Sequence, residues 1–232
     1  MDGNNRWARE RNLEGVVGHQ EGVERLKDVL EGCLESGIRV LTVFAFSSEN
    51  WRRPREEVGA LMSLFVAVLK RYRKELKQRN VALRIIGRRD RFSARLRKLM
   101  AAAEADTAGG DYTLVVAADY GGRWDLAQAA QRLAMQVQAG ELRAESIDEA
   151  QMAAHLELAD LPPVDLLIRT GAEQRISNFL LWQISYAELY FASCYWPDFD
   201  RHWLRKALED YRLRQRRFGV GPAAGAEPDK AG

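Results

Sequence analysis

Cysteine is scarce in this chain, whose 232 residues include only Cys33 and Cys194. The two lie far apart and form no CxxC pair, so neither a disulfide framework nor a thiolate zinc site is expected, and a reducing, cytoplasmic setting is favoured. No apolar run approaches the roughly 18 to 20 residues that a membrane-spanning helix needs. The first ten residues, MDGNNRWARE, carry an acid at position two and no apolar stretch, unlike a secretory signal.

Several signature motifs are also missing. The chain contains no GxxxxGK[ST], GxGxxG, HExxH or GxSxG. Their absence removes support for nucleotide hydrolysis, dinucleotide binding, zinc peptidase chemistry and an α/β-hydrolase. The composition, 47% hydrophobic and 29% charged residues, is that of an ordinary globular protein with material for a buried core.

Positive charge is concentrated between Lys70 and Lys98, where 13 basic residues accompany two acidic ones. Such a strip could attract nucleic acid, an anionic membrane surface or a phosphorylated substrate. Only Tyr72 and Phe92 offer aromatic rings for stacking, so we favour a solvated helix face and loop and expect no nucleic-acid partner. Peripheral contact with anionic lipid at the inner face of the membrane stays an alternative.

Helical and strand patterns alternate along the chain. Strands are predicted at 38–46, 81–87, 112–118 and 164–168, and helices at 18–36, from 54, at 93–105, 126–139 and 146–156, and from about 200. This alternation predicts an α/β fold with an open, mainly parallel sheet and helices on both faces. We expect one domain over 1–218 and a disordered tail over 219–232, which is rich in Gly, Ala and Pro.

The first chemistry-bearing segment is MDGNNRWA. If a helix starts here, the backbone N–H groups of residues 3–6 could hold a diphosphate, and Asp2 beside it could hold Mg²⁺. A plain helix-capping role for Asp2 is an equal alternative.

A second segment, RTGAEQRIS, follows a predicted strand, at the sheet edge where α/β proteins bind ligands. It places Arg169 and Arg175 in one loop with Ser177. Two guanidiniums and a hydroxyl suit a second diphosphate, whereas surface arginines without a ligand are the plainer interpretation.

Three isolated residues add weaker signals. His19 stands near a predicted helix start, where it could donate to a phosphate or be merely structural. Asn50, in the strand-end loop SSENWRR, could orient or accept a proton. Glu188 lies inside an apolar run, where an unpaired carboxylate is costly, so it needs either an arginine or a metal as its partner.

Five segments together resemble the signature blocks of the cis-prenyltransferase family, and they occur in the family's order over about residues 1–200. They are MDGNNRWA, VVGHQEGV, FSSENWRRPREEV, DYGGRWDL and DLLIRTGAEQRISNFLLWQISYAELYFASCYWPDFD. The resemblance implies a homodimeric, Mg²⁺-dependent transferase that adds isopentenyl diphosphate repeatedly, in cis configuration, to farnesyl diphosphate. The implied product is undecaprenyl diphosphate, a carrier-lipid precursor for cell-wall polysaccharide.

The resemblance also implies residue roles. Asp2 and Asn50 would be catalytic, and Asp2 and Glu188 would be the metal-linked acids. The implied substrate-binding residues are Gly3, Asn4, Asn5, Arg6, Trp7, His19, Ser47, Ser48, Glu49, Trp51, Arg53, Arg169, Arg175, Ile176 and Ser177.

The growing product would need a dry tunnel between the sheet and two helices. The apolar faces that would line it contain Leu26, Leu30, Leu61 and Phe65. An ordinary core is the alternative, since the two cannot be told apart in a sequence.

The chain departs from the family in three places. Members carry an apolar strand just before MDGN, whereas this sequence begins at Met1, so either the start is placed late or the first strand is missing. Gly15 replaces a common arginine, whose phosphate contact Arg9 or Arg11 would have to supply. Asp119 replaces a common asparagine, and an acid there would disturb the site unless it is paired.

A non-catalytic supporting subunit of the same fold is the alternative function. Such a subunit would be expected to lose Asp2 and the arginine set, and this chain retains them.

Overall fold

The computed structural model describes residues 1–214, so the predicted tail lies outside the described residues. This part of the chain forms seven α-helices and five β-strands. The helices are α1 Asn4–Glu10, α2 Gly15–Glu35, α3 Arg55–Gln78, α4 Ala94–Thr107, α5 Gly122–Gln138, α6 Glu149–Ala154 and α7 Arg201–Leu213. The strands are β1 Val40–Ser47, β2 Val81–Ile86, β3 Tyr112–Tyr120, β4 Leu166–Arg169 and β5 Glu188–Phe191.

All strand pairs are parallel, which confirms the predicted α/β class. The strands are divided between a three-stranded sheet, β1-β3-β2, and a two-stranded sheet, β4-β5. Within residues 1–214 no strand precedes α1, and β1 and β4 are not hydrogen-bonded to each other. Two parallel sheets therefore stand where the sequence indicates one, and β5 is a strand that the sequence pattern does not reveal.

Helices α3 and α4 cover one face of the larger sheet, and Trp124 of α5 packs on the other face beside a non-helical segment. On one face, alternate residues of β3 such as Leu114 and Val116 pack with Leu69 of α3 and Met100 of α4. On the other face, Val115 belongs to a second buried cluster that also contains apolar residues of the segment after β4. This alternation follows from the period of two in a strand that is buried on both faces.

Helix starts follow ordinary capping chemistry. The Ser93 hydroxyl accepts a hydrogen bond from the Leu96 N–H at 3.2 Å, and the Asp200 carboxylate accepts one from the Trp203 N–H at 3.1 Å. Pro54 precedes α3, whose first turn contains Glu56 and Glu57 near the positive end of the helix dipole. These caps explain why the predicted helix starts lie close to the observed ones.

A cavity of about 2230 Å³ extends between the sheets and the helices α2 and α3. Ordinary small-molecule pockets occupy roughly 300–1,000 Å³. Both β1 and β4 line the cavity, and so do all four predicted tunnel residues, Leu26, Leu30, Leu61 and Phe65. Three of the four, Leu26, Leu30 and Phe65, also belong to the main apolar cluster. These residues therefore fit both interpretations, because they line the cavity and also pack in the apolar core.

The basic strip is partly compensated by local ion pairs. Six of its arginines lie within 4 Å of a carboxylate; the pairs are Arg71–Glu24, Arg73–Asp106, Arg79–Glu31, Arg84–Asp160, Arg89–Glu104 and Arg91–Asp119. This pairing supports a solvated face. Within residues 1–214, none of the helices combines the length and the hydropathy required to cross a bilayer.

Close packing of α1 on α2 depends on a glycine. A Cβ at Gly18 would lie 2.1 Å from the Asn4 carbonyl oxygen, a backbone atom that cannot rotate away. By contrast, a Cβ at Gly59 in α3 would meet no atom within 4 Å.

We therefore predict opposite effects for two helical Gly→Ala changes. Gly18→Ala should force α1 away from α2 and destabilise the fold by about 1–3 kcal/mol. Gly59→Ala should stabilise it by about 0.5–1 kcal/mol, because alanine loses less backbone entropy in a helix. Urea denaturation of both variants measures the difference, and equal stability of the two would contradict the packing described for α1.

Candidate active site

The first turn of α1 is presented by an unusual backbone conformation at Gly3. Gly3 has φ 102°, and a Cβ there would lie 2.5 Å from Tyr195 Cδ1. Gly3 is the residue that caps α1, and no side chain bonds to the first-turn N–H groups as a cap. The capping alternative for Asp2 is therefore wrong. The first-turn N–H groups have no partner within the helix, because a helix supplies none there.

Asp2 joins α1 to the carboxyl end of β4. Its backbone N–H donates to Thr170 Oγ1 at 2.9 Å, and that hydroxyl donates to the Asp2 carbonyl oxygen at 2.8 Å. The same carbonyl oxygen accepts from the Trp196 N–H at 2.9 Å. Because the backbone is fixed in this way, the Asp2 side chain is directed at the arginines of the site.

The Asp2 carboxylate contacts two guanidiniums. Its Oδ2 accepts a hydrogen bond from Arg169 Nη2 at 2.9 Å, across 167 positions of sequence, and its Oδ1 lies 3.4 Å from Arg6 Nη2. Burial alone would raise the pKa of Asp2, but the Arg169 hydrogen bond and the charges of Arg169 and Arg6 outweigh burial and lower it. The carboxylate is therefore ionised at neutral pH.

Arg169 organises the loop that follows β4. Its Nη1 donates to Ser177 Oγ at 2.7 Å and also to the Arg175 carbonyl oxygen. Three non-glycine residues of this loop, Ala172, Ser177 and Asn178, have positive φ angles of 57°, 47° and 61°. Non-glycine residues adopt this region only at a cost, which the surrounding hydrogen bonds offset. The loop is thus held in one shape around Arg169.

A third block lies at the end of β1. The Ser47 N–H donates to Asn50 Oδ1 at 3.0 Å, in a capping box that fixes the 3₁₀ turn Ser48–Arg52. Since this amide oxygen already accepts a backbone hydrogen bond, the Asn50 nitrogen is the more available end. The turn is tied to the β4 loop, because Asn178 Nδ2 donates to Glu49 Oε1 at 3.0 Å.

Glu57 links this block to α1. Its Oε1 accepts from Asn5 Nδ2 at 2.9 Å and from Arg53 Nη1 at 3.1 Å. His19 lies near the same pair, and its Nε2 is buried with no hydrogen-bond partner among residues 1–214. Burial and the charge of Arg53 lower the pKa of His19 to about 4, although Glu57 opposes this. The imidazole is therefore neutral at pH 7.

The structure brings most of the predicted site residues to one cavity. Those that line it are Asp2, Asn4, Asn5, His19, Ser47, Glu49, Asn50, Arg53, Arg169, Arg175, Ile176 and Ser177. Arg6 lies beside this group through its contact with Asp2, as do Gly3 and Ser48 by chain position. Three residues with important contacts, Glu57, Thr170 and Glu173, are not identified from the sequence. For Glu57 a signal exists, because it lies in the first turn of α3, four positions after Arg53.

Trp7 and Trp51 face other partners. The Trp7 indole donates to Asp198 Oδ1 at 2.7 Å, and Arg11 stacks on its ring. The Trp51 ring packs edge-on against Phe46. Neither indole lines the cavity, so any contact of theirs with substrate stays a prediction.

Glu188 lies at the other end of the β4-β5 pair from Asp2. Glu188 pairs with Leu166, at the start of β4, whereas Arg169 is the last residue of β4. Three residues of strand, or about 10 Å, therefore separate Glu188 from the position of Arg169 along the strand. Its carboxylate accepts from Arg214 Nη1 at 2.8 Å. The partner that this acid requires is thus an arginine. Asp2 and Glu188 do not meet within the chain, and in residues 1–214 no three His, Cys, Asp or Glu side chains form a metal-binding group.

Comparison with known proteins bears on the family of this chain. Residues 1–219 match the model of a prenyltransferase family described as "Putative undecaprenyl diphosphate synthase". The chain belongs to this prenyltransferase family. It is 59% identical to the ditrans,polycis-undecaprenyl-diphosphate synthase ((2E,6E)-farnesyl-diphosphate specific) of Pseudomonas putida, over 94% of this chain and 88% of that relative. The synthase of the same name from Pseudomonas aeruginosa is 55% identical over the same shares of each chain.

Two solved structures show the same fold. The crystal structure of lavandulyl diphosphate synthase from Lavandula x intermedia, in complex with dimethylallyl diphosphate, has a TM-score of 0.91 and 36% identity, covering 94% of this chain and 95% of that one. A probable undecaprenyl diphosphate synthase from Campylobacter jejuni has a TM-score of 0.77 and 33% identity, covering 86% and 92%. The fold and the family are therefore established on independent grounds.

Gly15, where the family resemblance predicts an arginine, has a packing role here. A Cβ at Gly15 would lie 2.6 Å from Asn5 Oδ1, so the glycine leaves room for that side chain. Arg11, one of two expected substitutes for the missing arginine, faces Asp198 at 3.5 Å. It is therefore engaged away from the cavity.

The departure at Asp119 places an acid in the core of this prenyltransferase. The side chain is 0% exposed, and the nearest guanidinium, that of Arg91, lies 3.7 Å away. Neither carboxylate oxygen has a hydrogen-bond partner within residues 1–214. Burial raises the pKa of Asp119, although the Trp51 indole and the charges of Arg91 and Arg88 oppose this. The charge of Asp119 is therefore only partly paired.

We predict that Asp119→Asn stabilises the protein at pH 7 by about 1 kcal/mol, because a neutral amide avoids the cost of a buried carboxylate that lacks hydrogen bonds. An acid whose folded pKa is raised binds more protons in the folded state, so its contribution to stability falls as pH rises above the ordinary pKa of 3.8. The gain should therefore be small near pH 4 and larger at pH 7.

Thermal unfolding at both pH values measures this effect. Asp160→Asn is the matched control, because Asp160 is an exposed acid whose pKa Arg84 lowers, and this variant should not gain stability. A loss of stability at pH 7 in Asp119→Asn would contradict the description of Asp119 as a poorly satisfied buried acid.

Proposed function

We propose that this protein is a transferase that adds isopentenyl diphosphate, sequentially and in cis configuration, to farnesyl diphosphate. The observation that carries the proposal is the Asp2–Arg169 pair. It joins the first turn of α1 and the arginine loop after β4 into one cationic site at a large apolar cavity. The names of the relatives support farnesyl diphosphate as the allylic substrate and undecaprenyl diphosphate as the product.

The residues of the site suit diphosphate chemistry. Arg6, Arg169 and Arg175 provide planar donor groups that match phosphate oxygens. Guanidiniums placed beside the leaving diphosphate stabilise the negative charge that develops as the allylic C–O bond breaks. The neutral His19 can donate one further hydrogen bond from its buried Nε2.

The isopentenyl double bond then attacks the allylic carbon, and loss of a proton restores an alkene. The assignment of Asn50 as the proton acceptor stays a prediction.

Mg²⁺ fits this donor set through Asp2. The ion commonly binds one or two carboxylates together with substrate phosphates and water, and the Asp2 carboxylate is ionised and 39% exposed. When bound, Mg²⁺ would neutralise part of the diphosphate charge. Asp2 is the residue that would hold it. A metal-linked role for Glu188 stays a prediction.

The cavity supports a long product. Its volume of about 2230 Å³ exceeds that of an ordinary small-ligand pocket, and apolar side chains of α2, α3, β1 and β4 line most of it. A polyprenyl chain needs a large space with apolar walls. We propose on this basis that the product is long, as the names of the relatives indicate, and that it serves as the carrier-lipid precursor for cell-wall polysaccharide.

Incorporation of labelled isopentenyl diphosphate onto farnesyl diphosphate tests the function. With Mg²⁺ we expect long polyprenyl diphosphate, and removal of the metal with EDTA should abolish it. Asp2→Asn should lower the rate at least about 100-fold, because it removes the carboxylate that faces both arginines and the metal. Asp106→Asn, which neutralises an exposed acid paired with Arg73, is the control and should retain full activity. A folded wild-type chain without turnover would instead favour the non-catalytic supporting subunit.

We also propose a homodimer, supported by exposed apolar side chains near β5. Tyr186 is 76% exposed, Leu189 is 36% exposed and Leu213 is 84% exposed. Sedimentation velocity should give twice the chain mass, and Leu213→Lys should shift the protein towards monomer. A monomeric wild-type protein would contradict the proposal.

Peripheral contact with anionic lipid stays a prediction that liposome sedimentation with and without salt would check.

A further inference from the structure

Glu173 bridges two arginines of the site. Its Oε1 lies 3.0 Å from Arg6 Nη1, and its Oε2 accepts a hydrogen bond from Arg175 Nη1. One carboxylate therefore uses a donor on each of two guanidiniums that come from different parts of the chain. Its side chain is 23% exposed, less than the 40% of Arg6 and the 59% of Arg175. Glu173 lies between its partners and is partly shielded by them.

The backbone before Glu173 is fixed in the conformation that places it there. The Gly171 N–H donates to the Cys194 carbonyl oxygen at 2.7 Å, and the Ala172 N–H donates to the Ala192 carbonyl oxygen at 3.1 Å. Gly171 has φ +87°, and a Cβ there would lie 2.7 Å from Arg6 Nη2. The positive φ favours glycine at this position, and a Cβ there would displace the Arg6 guanidinium, so the loop passes directly beside Arg6 and places Glu173 in contact with it.

The Glu173 carboxylate is ionised in the substrate-free site. The hydrogen bond from Arg175, together with the charges of Arg175 and Arg6, lowers the pKa of Glu173, although desolvation and the nearby Asp2 oppose this. Asp2 already engages Arg169 and Arg6. The three guanidiniums are thus compensated by two internal carboxylates, of which Glu173 is the one that holds Arg175.

We propose that Glu173 is a placeholder anion for the diphosphate of the substrate. Its two oxygens use the same guanidinium donors that two phosphate oxygens would use, so the carboxylate holds Arg6 and Arg175 in place and must release them when a diphosphate binds. Glu173 thereby limits affinity for anions and favours a highly charged diphosphate over weaker competitors. This inference rests on the proposed function of the site.

Binding of inorganic pyrophosphate, measured by isothermal titration calorimetry without metal and at low salt, tests the inference. Glu173→Gln should bind pyrophosphate about three- to tenfold more tightly than the wild type, because the internal competitor for two exposed guanidiniums is removed. Glu173→Asp keeps the charge on a shorter side chain and should lie between the two. Thermal unfolding of each variant verifies that it is folded.

Glu145→Gln is the matched control. Glu145 pairs with Arg143, an arginine two positions away, as Glu173 pairs with Arg175, and Glu145 is exposed to solvent. Its variant changes the net charge of the protein by the same amount. We expect its pyrophosphate affinity to equal that of the wild type. An equal gain in both Gln variants would show a general charge effect and would overturn the placeholder role.

Other outcomes are equally decisive. Unchanged affinity in Glu173→Gln would show that Glu173 does not compete with the diphosphate. Weaker binding without metal would show that Glu173 instead positions the arginines for the ligand, and weaker binding only when Mg²⁺ is added would show that Glu173 serves the metal together with Asp2. If neither the wild type nor any variant binds pyrophosphate, the proposed function of the site fails, which is distinct from failure of the placeholder role alone.

Discussion

The attachment of Asp2 to the end of β4 is the constraint on which the site depends. The backbone of Asp2 is bonded to Thr170 and Trp196, and its carboxylate is bonded to Arg169. These bonds connect the first residues of the chain to a loop more than 160 positions away. Without them, the first turn of α1 and the arginine loop would belong to separate parts of the surface.

Internal carboxylates hold the cationic groups of this site in position. Asp2 contacts Arg169 and Arg6, Glu57 contacts Arg53 and Asn5, and Glu173 contacts Arg6 and Arg175. Long arginine side chains lose considerable rotamer freedom when they are ordered, so pairing them before substrate arrives lowers the entropy cost of binding. The same pairs compete with the substrate for donors. The internal carboxylates therefore preorganise the arginines and at the same time limit the affinity of the site for diphosphate. At Glu173 both effects arise from the same two contacts.

Much of the fold could be predicted from the sequence, because buried strands and capped helices leave periodic signals. The predicted helices and four of the five strands are present, and the blocks after β1 and β4 meet at the cavity as proposed. The division into two sheets could not be predicted, since strand pairing depends on contacts between distant segments. For the same reason Glu173 is indistinguishable in sequence from a surface acid, and the 10 Å offset of Glu188 follows only from the β4-β5 register. The family resemblance singles out Asp119, but only the structure shows that it is buried near Trp51.

The most direct test of the central claim is a crystal structure of this protein with Mn²⁺ and isopentenyl diphosphate, recorded at a wavelength where manganese scatters anomalously. The account predicts an anomalous peak at the Asp2 carboxylate and diphosphate density between Arg6, Arg169 and Arg175, with Glu173 turned away from at least one of its arginines. Diphosphate bound elsewhere, or a metal peak remote from Asp2, would contradict the account of Asp2 as the joint between the two halves of one site.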